Sequence, residues 1–222
     1  MQVAAWVVGG MLFAWLPFQA WVKSSESVTK PSATWPAGWN QALARAQLPD
    51  APVLSVTSVV TARGPAWHIR HAGIPDTWLS ATGAALVPPD EATIRAFAQS
   101  LYRGPGRLAA VERLLEPPRR LGIVRETGAR ADLWVARFDD TLGTRIYVDA
   151  RGGQLVAVRN EAWVLYDFFW RLHVMDYSTG EDFNNPLLRA AALAAVALVV
   201  TGIILLILSL RRRAARSEVP VG

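Results

Sequence analysis

The chain of 222 residues contains no cysteine. That excludes disulfides, iron–sulfur ligation, cysteine-based zinc sites, a thiolate nucleophile and covalently attached c-type haem. The missing thiols permit an oxidising compartment without requiring one. Histidine is scarce as well, with three in all and none before His68. No Ser/His/Asp spacing, phosphate-binding loop or paired-carboxylate motif stands out, so the motifs offer no enzyme.

Charge is missing from two long stretches. Met1 to Val22 and Ala190 to Leu210, 22 and 21 residues, carry none. Each is close to the roughly 20 residues that cross about 30 Å of hydrocarbon as a helix. A buried core helix is the alternative for the second run, but one of that length interrupted only by Ser, Thr and Gly is rare. Transmembrane helices are therefore expected over 1–22 and 187–210. The mean hydropathy of +0.21 fits one ordinary domain between two apolar ends.

The flanking charges orient the chain. Arg211, Arg212, Arg213 and Arg216 follow the second run directly, and arginines beside a span stay on the cytoplasmic side. With two spans, both termini are cytoplasmic and residues 23–189 lie outside, in the periplasm of a bacterial-type inner membrane. The net charge of +5 owes four units to that basic tail, 211–222, where Glu218 offsets one. The pI of 10.2 therefore implies no nucleic-acid partner. The first run lacks a basic n-region and a small-x-small cleavage site, and it carries Trp6, Trp15 and Trp21. It reads as an uncleaved anchor rather than a signal peptide, with Trp15, Pro17, Phe18 and Trp21 as an interfacial belt. The basic residues expected at its inner end would lie upstream of Met1.

Between the apolar ends, residues 23–36 are rich in Ser, Thr and Pro and read as a linker. A short helix is expected over Gly38–Leu48, then strands over Pro52–Arg63, Trp67–His71 and Thr77–Ala81. Asp90 caps a helix whose apolar residues Ile94, Phe97, Ala98 and Leu101 follow a 3.6 period. Leu108–Leu115 reads as a second helical piece, stopped by Pro117-Pro118. Strands follow at Leu133–Phe138, Arg145–Asp149 and Leu155–Val158, and an amphipathic interfacial helix at 161–178. Trp78-Leu79-Ser80-Ala81-Thr82-Gly83 parallels Tyr147-Val148-Asp149-Ala150-Arg151-Gly152, with Leu86-Val87 and Leu155-Val156 at the same offset. This suggests two copies of a helix-plus-antiparallel-meander unit, 37–88 and 89–160, in an α+β fold. Gly152, in the second turn, is expected to need a positive φ.

Tyr147-Val148-Asp149-Ala150-Arg151-Gly152-Gly153-Gln154-Leu155 resembles the hairpin of a PepSY domain, where a strand, a D-x-x-[TG]-G turn and a second strand recur. Trp170-Arg171-Leu172-His173-Val174-Met175-Asp176-Tyr177 and Asn184-Asn185-Pro186-Leu187-Leu188 resemble the PepSY-associated transmembrane family. Gly10 to Phe18 is similar to the outer end of that family's first helix. The resemblance covers most of 6–210, strongest from 144 onward. It implies two PepSY-like units between two membrane helices, and it is unspecific for activity. The family includes proteins linked to peptidase regulation and relatives that resemble haem-bearing ferric-siderophore reductases. In those relatives the first helix begins with a basic residue and a histidine, which this sequence lacks.

His173 is the sharpest candidate for chemistry. Tyr166, Phe169 and Trp170 precede it by seven, four and three positions, so on a helix they share its side. A neutral imidazole in that aromatic wall is a candidate ligand for haem b, and one histidine alone makes no bis-His site. The plainer reading is a ring resting at headgroup depth, with no cofactor expected. His68 and His71 form H-x-x-H, but three positions apart on a strand they point to opposite faces, so no metal site is expected. Asp139, Asp140 and Asp149 read as turn acids, and Asp167 and Arg171 as a helix-surface i,i+4 pair. Arg119, Arg120, Arg125 and Arg130 read as a solvated loop that could also meet an anionic lipid or partner.

Three functions follow. The first is a membrane-anchored, non-catalytic binding or regulatory module offering a sheet edge or face to a periplasmic peptide or protein. The second is a haem-binding electron-transfer component, which would need a homodimer or another partner for its second ligand. The third is an accessory subunit of a larger inner-membrane complex.

Overall fold

The computed structural model describes residues 2–15, 17, 22, 27–177, 182 and 184–217. The expected belt residues Phe18 and Trp21, residues 23–26 of the linker, residue 178 at the end of the interfacial helix and residues 218–222 of the basic tail lie outside this set. The described chain is mixed α+β, with five helices and antiparallel sheets.

Helix α1 runs Gln2–Trp15 and helix α2 Trp39–Arg45. Strands β1 (Val53–Thr61), β2 (Gly64–His71) and β3 (Thr77–Ser80) then form an antiparallel meander in the order β1-β2-β3. Buried Trp67, Ile69 and Leu79 pack with Leu43 and Ala46 of the α2 region and with Trp35. The Trp35 and Trp67 rings lie 4.5 Å apart and those of Trp39 and Trp67 5.3 Å apart, within the range where aromatic pairs add to simple burial.

Helix α3 (Glu91–Leu101) starts where Asp90 accepts a 2.8 Å hydrogen bond from the Thr93 amide, the side-chain cap that satisfies an orphan N–H of the first turn. It buries Ile94, Phe97, Ala98 and Leu101 against Ala136, Phe138, Ile146 and Val148. Each large apolar side chain so removed from water contributes on the order of 1.5–3 kcal/mol. Those partners lie on the second sheet, whose strands β4 (Leu108–Leu114), β7 (Leu133–Phe138), β8 (Arg145–Asp149) and β9 (Leu155–Arg159) pair in that order. Between β4 and β7 a small hairpin forms from β5 (Arg119–Arg120) and β6 (Val124–Arg125). A helix followed by an antiparallel meander thus occurs twice along the chain.

Strand β4 corrects the helix expected over Leu108–Leu115. Its Ala, Leu, Glu and Arg content favours helix locally, but antiparallel pairing of Leu108–Leu114 with β7 takes up its backbone. Leu108 and Val111 pack against the α3-facing core and Leu114 against the opposite face. Tertiary pairing overrides a weak propensity.

The two parallel turn sequences fold alike. Ser80 N donates to Ala84 O at 2.8 Å and Asp149 N to Gln154 O at 2.9 Å, so each strand reverses directly after its polar residue. Ala81 and Ala150 are both buried behind the turns. The second turn is one residue longer, and the positive φ falls on Gly83 (+83°) and Gly153 (+72°) rather than on Gly152. Gly152 is required for another reason. A Cβ there would lie 2.5 Å from ring carbons of Trp78, so the first meander rests its tryptophan on the second meander's turn. The sheets also meet where Ala62 N donates to Gly153 O at 2.8 Å, beside a Thr61–Gln154 bridge.

Helix α4 (Glu161–Val174) is capped by Asn160, whose side chain accepts a 2.8 Å bond from the Trp163 amide. It ends short of the expected boundary, at Met175, which takes the left-handed conformation. Helix α1 lies along it, with the Phe13 and Tyr166 rings 5.1 Å apart and Gly9 close to Phe169.

Helix α5 (Pro186–Ser217) is the one described helix long and apolar enough to cross a membrane. Its span Pro186–Arg212 has 27 residues; the most apolar 18-residue stretch within it has a mean hydropathy of 2.9, and none of that stretch is buried by the rest of the chain. Thr201 and Ser209 donate their hydroxyls to carbonyls within the same helix, so between Ala190 and Leu210 no polar side chain needs a partner outside it. The described part of α1 has 14 residues, about 21 Å at 1.5 Å per residue. That is short of a full crossing.

Candidate functional site

The helical side of the molecule carries Tyr166, Phe169, Trp170 and His173 on α4. Tyr166 stacks with Trp170 at 6.3 Å and Trp170 with His173 at 6.3 Å, so three of the four share one face. Phe169 turns instead toward Gly9 of α1. His173 is exposed. The other two histidines sit on β2, with Nε2 of His68 2.7 Å from Asp76 and Nε2 of His71 3.0 Å from Thr77. A haem at His173 would therefore draw a single imidazole from this chain, and the residues do not make a two-histidine site. His68 and His71 do not converge on one point, and no group of three potential metal ligands comes together among the described residues.

The acids read as turn residues act as such. Asp140 accepts from the Thr144 amide at 2.7 Å and from the Tyr102 hydroxyl at 2.9 Å. Asp139 accepts from the Arg107 amide. Asp149 accepts from the amides of Arg151 and Gly152, at 3.1 and 2.5 Å. The Asp167–Arg171 pair is not on the surface as expected. Its 2.5 Å ion pair has side chains only 13% and 5% exposed, because that side of α4 faces the domain.

A buried polar network lies beneath α4, and sequence reasoning missed it. Glu126, 1% exposed, accepts from Arg145 Nε at 2.9 Å and from the Tyr147 hydroxyl at 2.6 Å. The Arg145 Nη1 reaches Glu161 at 2.6 Å, and Arg120 binds the same carboxylate at 3.0 Å. Arg159 donates to the Glu126 carbonyl at 2.9 Å and lies 4.1 Å over the Trp163 ring. Burial works against the Arg145 charge, but Glu126 and Glu161 outweigh it and hold the guanidinium above its ordinary value. Burial, then Glu126, push the Tyr147 phenol up. For Glu161, Arg145 and Arg120 outweigh partial burial and hold its carboxyl below the usual range. The network ties the 119–130 excursion to β8 and α4. Each member has a partner, as a buried ion pair requires. It is a structural clamp.

Two surfaces remain open. One is the outer edge of β1. Val53, Leu54 and Val56 are 45%, 61% and 46% exposed, and apart from the Thr61–Gln154 bridge at its end β1 pairs with β2 alone among the described residues. The strand VLSVTSVVT has no charge and no proline, the features that usually guard a sheet edge. Near Thr61–Gln154 β1 approaches β9, and the two then diverge around a gap of about 430 Å³ lined by Thr57–Val60, Gln154–Ala157 and, from the linker, Lys30 and Pro31.

The other is a cleft of about 720 Å³ where the two meanders meet, lined by His68, Asp76 and Trp78 from the first and by Arg130, Asp132, Leu133 and Arg151 from the second. Its wall is the His68 ring stacked on Trp78, 4.0 Å apart and 9° from parallel. Arg130, expected in a solvated loop, is on this rim. Arg119 and Arg125 stand opposite each other on β5 and β6, and Arg120 belongs to the buried network.

Comparison with known proteins finds no matching family model, no matching curated protein and no matching solved structure. No family is assigned. The PepSY resemblance rests on the sequence motifs alone.

Proposed function

We propose that the protein is a membrane-anchored binding or regulatory module of PepSY type, held on the periplasmic side of the inner membrane and without catalytic activity of its own. In this reading α5 spans the bilayer, the arginines after it stay cytoplasmic, and the uncharged run containing α1 forms the second anchor beside α4. The observation that supports a binding role best is the β1 edge. An uncharged, nine-residue edge strand with exposed Leu54 and Val56 is a liability for a free domain, because its unpaired N–H and C=O groups template pairing with another chain. It suits a module that captures an extended segment by adding a strand, with main-chain hydrogen bonds supplying affinity and the exposed valines and leucine supplying selectivity.

The test is site-specific photocrosslinking in cells making the full-length protein, with the photoreactive residue at Val56 or, as control, at Arg95 on the outer face of α3. A discrete crosslinked species from Val56 and none from Arg95 is expected. Equal or no crosslinking at both positions contradicts a binding edge on β1.

A further inference from the structure

The geometry points to a second binding site, independent of the β1 edge: the cleft beneath Trp78 takes an oxyanion, carried as the terminal carboxylate of a short apolar peptide or similar small molecule. Every acid that lines the cleft already has a donor. Asp76 is held by His68 at 2.7 Å, Asp132 by Arg113 at 2.8 Å, and Asp149 by the two amides of its own turn. The two lining arginines differ. Among the described residues neither the Arg130 nor the Arg151 guanidinium has an acid or carbonyl partner, although both backbones are pinned. Arg130 N donates to Thr127 O and its carbonyl accepts from the Thr127 hydroxyl at 3.2 Å, and Arg151 N is bound by Asp149. The cleft's two guanidiniums are therefore its uncommitted cationic donors, beside the Gln154 amide, which can donate and accept. Guanidinium forks match carboxylate and phosphate oxygens in bidentate pairs.

The remaining walls say what the anion is attached to. Leu133 and Val156 supply an apolar floor, and the stacked His68–Trp78 pair supplies a flat side. A cleft of about 720 Å³ lies within the size range of small-molecule sites, which combine apolar lining with a few placed polar groups. Trp78 is itself fixed, packed on His68 on one side and on Gly152 on the other. The site is thus assembled only when the two meanders are docked.

Titration calorimetry on the detergent-purified full chain tests this with three probes: acetyl-alanyl-alanyl-leucine, its C-terminal amide, and inorganic phosphate. The free-acid peptide is expected to bind and the amide to bind at least tenfold more weakly. Arg130→Gln and Arg151→Gln should each weaken the acid by about tenfold. Both side chains are exposed, so folding should be retained, which circular dichroism checks. Arg119→Gln with Arg125→Gln, at the arginine pair across the β5–β6 hairpin, should leave affinity within twofold. Phosphate binding that needs Arg130 and Arg151, without peptide binding, keeps the oxyanion site and assigns it to the free ion. No binding of either anion overturns the proposal. So does binding indifferent to Arg130 and Arg151, or lost in the Arg119/Arg125 variant.

Discussion

Gly152 lies under the Trp78 ring with no room for a Cβ, and the neighbouring glycine carries the positive φ. Gly152→Val should therefore force the tryptophan aside and destabilise the domain by about 1–3 kcal/mol, as overpacking does. The thermal unfolding midpoint of the detergent-solubilised protein measures this. Adding Trp78→Ala should restore part of the loss, and a Gly152→Val protein as stable as its parent would remove the packing account. The need for glycine in this turn was legible from the Arg-Gly-Gly run, but its cause was not, since the Trp78 contact exists only in three dimensions. The same holds for Glu126. Nothing distinguishes it from any other loop glutamate in the sequence, yet it is the buried anchor of Arg145 and Tyr147. Asp149 was legible as a turn acid because its partners are the next residues of its own turn, whereas the bonds of Asp139 to Arg107 and of Asp140 to Tyr102 span more of the chain than a turn pattern shows. Arg130 and Arg151 could be read only as basic loop residues, because the cleft they line is made by two separate meanders.

At the scale of elements, periodicity served well where one face is buried and poorly where pairing decides. The four apolar positions of α3 and its Asp90 cap are as the 3.6 spacing and capping chemistry indicate. Strand β4 was hidden by residues of high helix propensity, and the β5–β6 hairpin by its arginines and flanking prolines. The lack of charge in β1 was visible, but its position at a sheet edge depends on the meander order. Helix α5 was the plainest element, since only a bilayer or another apolar surface accommodates its unburied leucines and isoleucines. Leu205→Arg, near the middle of that helix, should oppose insertion by about 2.5–3.5 kcal/mol. Membrane fractionation should show reduced integration of this variant, and normal integration and yield would count against α5 as a spanning helix.

For the whole molecule, the sheets, the docked meanders and α5 combine into a folded α+β body carried on one apolar helix. The second anchor and the side of the membrane on which the body lies belong to the proposed reading. A chain without cysteine is a clean background for placing single thiols. Ser58→Cys puts one on exposed β1, and Ser217→Cys puts one at the end of α5, beyond the arginines. The most direct measurement is labelling of these two variants with a membrane-impermeant maleimide, in cells whose outer membrane is opened and whose inner membrane is intact. The account predicts that Ser58→Cys labels at once and that Ser217→Cys labels only after the inner membrane is permeabilised. Protection of Ser58→Cys until that point, or labelling of Ser217→Cys before it, would contradict a module held outside the cytoplasm.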